Sequence, residues 1–402
     1  MSYTILNASN ISSYLLSLPT IKEYFNTTKL AVKEIGDGNL NFVFLVSSLN
    51  DSSKKLIVKQ AVPYLRCVGE SYPLSRDRML YEIRSLQEFA KISNNIPRIY
   101  HSDEEMSLIV MEYLANHIIM RYGMIDGTIY PNFSKHIGDY LAHTLFKTSS
   151  LYLSSSEKRE LSAKFIGNSE LCKLTEDFVF TAPFMEDETN ADIPQIADEH
   201  LRLSQDRKLK VNILKLKYKF MTQTDALLHG DLHTGSIMLN QDETFIIDSE
   251  FAFMGPMGFD VGALVANLVM SWVSHRVQNS HKYAEWIEQT IEQVWLEFER
   301  EFRELWNQTN SSALLTQGFA DNEMLESYIN DYMSELLKDT IGFAGCKILR
   351  RQFGIAGVEE IRGIKDDDTR EKANRLAIKI GEKFVKGHRG VECVGDVLKL
   401  FR

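Results

Sequence analysis

Cysteine is scarce in this chain: there are four in 402 residues, Cys67, Cys172, Cys346 and Cys393. No two stand at metal-ligand spacing, so neither a zinc module nor a disulfide framework is expected to organise the fold. Long apolar runs are missing too. The best candidate, residues 261–273, is too short and too interrupted to cross a bilayer. Residues 1–19 are broken by polar side chains and carry no basic stretch leading into an apolar core. A reducing cytoplasm is therefore the expected compartment. Positive charge is in deficit, with 45 Lys and Arg against 55 Asp and Glu, a net charge of −10. That argues against a nucleic acid, whose phosphates call for clustered Lys and Arg. Neither nucleic acid nor membrane is expected as a partner. No glycine-rich stretch ends in Gly-Lys-Ser/Thr, which excludes a Walker A loop, and no internal repeat is evident.

What remains is an ordinary globular composition, 44% hydrophobic and 25% charged. The length favours two lobes over one core. Residues 8–26 read as a short amphipathic lead-in. From residue 31 to about 112 the pattern is strand-rich, with apolar runs at 43–46, 56–58, 98–100 and 108–111. Met79, Ile83, Leu86 and Phe89 predict a helix over about 75–92. Beyond 112 helical periodicity dominates, at about 134–149, 154–164, 208–223, 258–276, 281–308, 323–351 and 367–385. A β-rich island at 237–248 interrupts it, and the acidic, polar stretch 183–206 is expected to contain a surface loop. The expected fold class is α+β and bilobal: a small β-rich N-lobe over 1–112, a hinge at 113–117 and a large, mainly helical C-lobe over 118–402.

The strongest chemical signal is His229-Gly230-Asp231-Leu232-His233-Thr234-Gly235-Ser236, followed by Ile247-Asp248-Ser249-Glu250. Phosphoryl transfer from ATP to an alcohol needs a group that orients the hydroxyl and accepts its proton. It also needs carboxylates to hold Mg²⁺ against the phosphates. A loop carboxylate, a short hairpin and an acidic pair supply both. Asp231 fits the base, and Asp248 with Glu250 fits the metal ligands, two residues apart in a segment expected to be extended. Either motif alone is equally a solvated turn; together, with 17 residues from Asp231 to Asp248, they favour the catalytic reading. Zinc at His229 and His233 is disfavoured, since no third ligand is suitably spaced and Mg²⁺ prefers oxygen. His229 is expected to buttress the loop, and Asp260 to cap a helix or brace that loop.

Four further features are ambiguous by themselves. Residues 36–41, Gly36-Asp37-Gly38-Asn39-Leu40-Asn41, form a turn whose backbone N–H groups suit phosphate oxygens, or a plain tight hairpin. Lys59 lies eighteen residues beyond Asn41 at the end of an apolar run. It either reaches phosphates with Glu82 as its carboxylate partner, or snorkels from an edge strand. Glu112-Tyr113-Leu114 is a hinge able to read an adenine edge, or a strand end. Arg350 and Arg351 point about 100° apart on a helix. They either embrace a phosphoryl group and sugar hydroxyls or form a solvated basic helix end.

The catalytic loop resembles that of the protein-kinase-like superfamily, which includes aminoglycoside phosphotransferases and choline kinases. Taken with the acidic pair and the run from Phe251 to Gly262, the chain is similar to the 5-methylthioribose kinase family, with matching segments scattered from about 34 to 358. That resemblance implies ATP-dependent phosphorylation of the 1-hydroxyl of 5-methylthioribose, in methionine salvage, with Mg²⁺. It implies ATP contacts at Gly38, Asn41, Lys59, Glu112, Tyr113, Leu114, Asp248, Ser249 and Glu250. It places the sugar at Asp231, Arg350 and Arg351, and makes residues 68–74 a mobile loop over the cleft. It also implies a homodimer. Three positions depart from the expected pattern. Ser236 stands where the superfamily has Asn, Ser249 where Pro is expected, and Tyr72 where Trp is expected. The rival readings are a choline, aminoglycoside or homoserine kinase of the same superfamily, or a nucleotide-binding scaffold without activity.

Overall fold

The computed structural model describes residues 3–35, 40–65 and 69–401. The chain divides into two units. One runs up to His117 and takes in Phe245–Ala252; the other holds Ile118–Thr244 and the chain from Phe253 onward. The eight residues 245–252, which the expected division places in the C-lobe, group with the N-terminal unit.

The first unit is built on an antiparallel five-stranded sheet. Its spatial order is Leu30–Glu34, Asn41–Ser48, Lys55–Ala61, Leu108–Glu112, Ile99–Asp103. Alternation of side chains along a strand sends Phe44, Val46, Leu56, Val58, Leu108 and Val110 to one face. There they meet Ile11, Leu15, Ile21 and Phe25 from the helices Ile11–Ser17 and Pro19–Phe25. The amphipathic lead-in is thus two short helices that cover a sheet face. The predicted helix at 75–92 runs from Arg78 to Ala90. Tyr64–Leu65 pairs with Gly69–Pro73 in a small hairpin. Of the expected phosphate turn, residues 36–39, Gly38 included, lie outside the described residues, as does Val68 of the expected mobile loop.

The second unit is dominated by four long helices, Gly258–Val277, His281–Asn307, Asn322–Phe353 and Asp367–Gly387. Apolar periodicity located all four within a few residues. Two short ladders pair Ala226–Leu228 with Phe253–Gly255, and Ile118–Ile119 with Met238–Leu239. The acidic stretch 183–206, expected to contain a surface loop, also contains the helix Ala197–Ser204. Its buried contribution is small, with Leu203 enclosed and Leu201 exposed, so no apolar stripe announced it. No helix among the described residues is long and apolar enough to cross a membrane. The run at 261–273 is instead the middle of Gly258–Val277, where nearly every side chain is buried in protein.

That helix lies close against Asn322–Phe353, and glycine makes the approach possible. A Cβ on Gly262 would stand 2.6 Å from the carbonyl oxygen of Thr340. Gly262→Val should therefore destabilise the chain by about 1–3 kcal/mol through overpacking. Thermal unfolding measures this, and an unchanged Tm would mean the two helices separate without cost.

Candidate active site

The residues expected to carry chemistry fall into two sets, one in each unit. In the first unit, Lys59 lies on the central strand of the sheet, paired in register with Val43 and Ile109. It is 7% exposed, so the snorkelling alternative does not hold. A buried ammonium needs anionic partners, and Lys59 has them. Its Nζ lies 2.8 Å from Oε1 and 2.7 Å from Oε2 of Glu82, and it also pairs with Oδ1 of Asp248. The expected Lys59–Glu82 pair is present.

Glu250 is enclosed and accepts from Nδ2 of Asn41 at 2.9 Å, with Nε of Arg78 at 3.5 Å. Burial raises the carboxyls of Glu82 and Glu250, against the pull of Lys59. Burial would also lower the Lys59 ammonium, but Asp248, Glu82 and Glu250 together raise it, so it stays charged.

Sequence reasoning missed Arg78, which is buried one helical turn before Glu82. It donates to Oδ1 of Asn41 at 3.1 Å and to the carbonyls of Leu40 and Val62 at 2.8 and 2.9 Å. It thereby ties the helix to the backbone beside the glycine turn. The available signal was charge on a buried stripe: Arg78, Glu82, Ser85 and Phe89 recur at helical spacing.

Residues 245–252 are anchored by a bond from Ile246 N to Asn95 O at 2.8 Å and a 2.7 Å contact between the hydroxyls of Ser85 and Ser249. Ser249 is fully buried, so it holds the loop from beneath. The acidic pair is not on extended backbone, as the spacing argument assumed. Asp248 has φ +69°, in the left-handed region that Asp tolerates better than most residues. The turn leaves Asp248 about half exposed and Glu250 enclosed. At the hinge, the Glu112 carboxylate accepts from Arg98 N at 3.2 Å, Lys55 stands over the Tyr113 ring, and Leu114 is buried.

In the second unit the strand Ala226–Leu228 delivers the loop His229–Ser236. Gly230 takes φ +84°, a conformation that a side chain resists. Asp260 braces the turn: Oδ2 accepts from His229 N at 2.6 Å and Oδ1 from Gly230 N at 3.0 Å. Of the two roles expected for Asp260, the brace is the one seen, since it makes no side-chain cap at its own helix. His229 is buried and its Nδ1 accepts from Asp231 N at 3.3 Å. Ser236 donates to the Asp231 carbonyl at 3.1 Å, so at the superfamily's Asn position it secures loop backbone.

Asp231 is surrounded by positive charge. Oδ1 lies 3.0 Å from Nζ of Lys347 and 3.8 Å from Nη2 of Arg350; Oδ2 lies 3.3 Å from Nε2 of His233. Burial alone would raise this carboxyl, but Lys347, His233 and Arg350 outweigh it and hold it well below the usual carboxylate range. Gly235 N donates to His233 Nδ1 at 3.0 Å. That bond assigns the His233 proton to Nε2, facing Asp231. Burial lowers the His233 imidazole against the opposing pull of Asp231.

Arg350 and Arg351 both lie in the helix Asn322–Phe353, largely buried, so the solvated helix end is excluded. Arg350 faces Asp231 while Arg351 donates to the Ala356 carbonyl at 3.3 Å. Arg350 Nε is buried with no hydrogen-bond partner among the described residues. Sequence reasoning missed Lys347, one turn before this pair, and Arg121, which pairs with the buried Glu360 at 3.2 Å.

Comparison with known proteins gives this arrangement its class. The family model for the phosphotransferase enzyme family matches residues 31–292, and the chain belongs to that family. Its sequence is 39% identical to methylthioribose kinase 1 of Oryza sativa subsp. japonica, over 98% of this chain and 94% of that one. It is 41% identical to the methylthioribose kinase of Geobacillus sp. (strain WCH70), over 93% and 90% of the two chains. Within the phosphotransferases, then, it belongs with the methylthioribose kinases. Among solved structures, choline kinase from Cryptosporidium parvum Iowa II aligns with a TM-score of 0.49 at 14% identity, covering 98% of this chain and 100% of that one.

The brace on the His229–Ser236 loop can be tested directly. Asp260→Asn keeps one acceptor oxygen but turns an amino group toward an amide N–H. It should cost about 1–3 kcal/mol of stability and lower kcat about tenfold. Unchanged Tm and kcat would show that His229 and Ser236 suffice to hold the loop.

Proposed function

We propose that this protein transfers the γ-phosphate of ATP to the 1-hydroxyl of 5-methylthioribose, giving 5-methylthioribose 1-phosphate. The observation that carries this reading is Asp231, a largely buried carboxylate kept ionised, in a chain that matches methylthioribose kinases over 93–98% of its length. A base near a hydroxyl must be unprotonated and fixed, and both conditions are met.

In this reading Asp231 accepts the hydroxyl proton as the new O–P bond forms and the P–O bond to ADP breaks. Arg350, with its unpartnered Nε, and Arg351 hold the sugar and the developing charge. Lys59, Asn41 and the 36–41 turn, Gly38 included, position the phosphates. Glu112, Tyr113 and Leu114 read the adenine, and Asp248, Ser249 and Glu250 complete the ATP contacts. The division into an N-terminal nucleotide lobe over 1–112, a hinge at 113–117 and a catalytic lobe over 118–402 belongs to the same proposal.

Asp248 and Glu250 are the residues that would hold Mg²⁺. The donor set is carboxylate oxygen, which suits a hard cation. A third carboxylate, that of Glu82, shares Lys59 with Asp248. When bound, Mg²⁺ supplies neutralisation of phosphate charge. A homodimer in the cytoplasm accompanies the family resemblance.

A choline or aminoglycoside acceptor is disfavoured by charge. A cationic substrate brought to Asp231 would meet Lys347 and Arg350 as well. The test is ADP release with methylthioribose, ribose and choline. Release should prefer methylthioribose over ribose, stop on chelation of divalent metal and return with Mg²⁺. Preference for choline, or no acceptor-dependent release, would overturn the proposal. A second expectation concerns Asp231→Asn, which should lose about 10²–10⁴ in kcat with ATP affinity nearly intact. Turnover and nucleotide titration measure the two separately.

A further inference from the structure

Lys347 stands apart from the surrounding cations. It is 4% exposed, in the middle of a buried helical stretch. Its Nζ makes one hydrogen bond among the described residues, to Asp231 Oδ1 at 3.0 Å. On another side lies the ring of Phe259, whose centroid is 4.4 Å from Nζ, a cation–π contact. Phe259 is itself fixed in an aromatic cluster with Phe180, Phe220 and Phe343. A lysine retained merely to fill the core would be better replaced by an apolar residue, since burying an ammonium is costly without several acceptors. This one has a single acceptor, and it is the carboxylate to which the proposed reaction assigns the proton.

We propose that Lys347 is a positioning residue for phosphoryl transfer: it grips Oδ1 of Asp231, keeps that carboxylate ionised, and leaves Oδ2 to receive the proton. The proposal rests on Asp231 being the base, as argued above. It distinguishes the two oxygens by geometry, because among the described residues Oδ2 has only the longer 3.3 Å contact with His233. The acceptor O–H proton passes to Oδ2 while the acceptor oxygen bonds to phosphorus and ADP leaves.

Other charges bear on this pair. His233 faces Asp231 from the same loop and Arg350 from the helix of Lys347, while the charge of Arg351, on that helix, acts on Lys347. Arg121 acts on His233, Arg350 and Arg351, and Asp260 acts on Lys347 from the neighbouring helix. Burial lowers the Lys347 ammonium to about 8, with Asp231 opposing, so the pair is charged at neutral pH. Removing the Lys347 cation raises the pKa of Asp231. The variant then loses its base as pH falls through a value higher than in the wild type.

The experiment compares kcat against pH from about 5 to 9 for wild type, K347M, K347Q and K347R, at saturating ATP and acceptor. Thermal unfolding first shows which variants are folded. K347Q, which keeps a donor without the charge, replaces K347M where the latter is not. Because Asp231 is held well below the usual carboxylate range, wild-type kcat should show no acid limb from Asp231 down to pH 5, whereas K347M or K347Q should show one within the scanned range, kcat falling about tenfold per pH unit below it. K347R should restore the wild-type profile, and KM for ATP should change little in all three. A folded K347M or K347Q whose kcat keeps the wild type's acid-side profile down to pH 5, with D231N inactive, overturns the role of Lys347. If D231N itself keeps near-normal turnover, the assignment of the base has failed instead.

Discussion

Ionised carboxylates that solvent barely reaches are unstable unless the protein supplies compensating charge, and both sets of candidate residues are organised around that requirement. Asp231 is compensated by Lys347, Arg350 and the Nε2 proton of His233. The tight apposition of two helices at Gly262 locates the helix that provides two of those three partners. In the other unit the signs are reversed. Lys59 is the buried charge, and Glu82 and Asp248 are its counterions. Neither arrangement stands alone. Asp260 fixes the loop that carries Asp231, while Arg78 and Asn41 fix Glu250.

Much of this was legible in the sequence, for reasons that can be named. The His229–Ser236 loop and the Asp248/Glu250 pair stood out because their residue types are adjacent along the chain. The long helices stood out because their apolar residues recur at helical spacing over many turns or, as in Gly258–Val277, run almost unbroken. Glu82 was within reach of inference because its helix was periodic and Lys59 needed a partner.

What escaped notice shares another cause. Lys347, Arg78 and Arg121 act through partners 116, 37 and 239 residues away in sequence: Asp231, Asn41 and Glu360. No spacing rule links such pairs. Lys347 also lies in the apolar run 341–349, where it reads as an interruption of the core. The acidic pair failed differently. Its side chains were assigned correctly to one segment, but on the assumption of extended backbone, whereas Asp248 turns with φ +69°. The helix Ala197–Ser204 was missed because it is two turns long within an acidic stretch and encloses a single apolar side chain, Leu203.

The first unit is discontinuous along the chain, and this governs the order in which it can be completed during synthesis. Its sheet and helices are all encoded before residue 118, yet Asp248, Ser249 and Glu250 belong to the same unit and emerge more than a hundred residues later. Until they do, a nascent N-terminal portion holds Lys59 and Arg78 without two of their acidic counterions, and Ser85 without its partner. A unit of this kind cannot mature strictly from the N-terminus forward as a continuous domain does. A truncated gene ending at the first boundary would therefore encode the sheet with Glu82 but without the other two carboxylates that balance its buried charge.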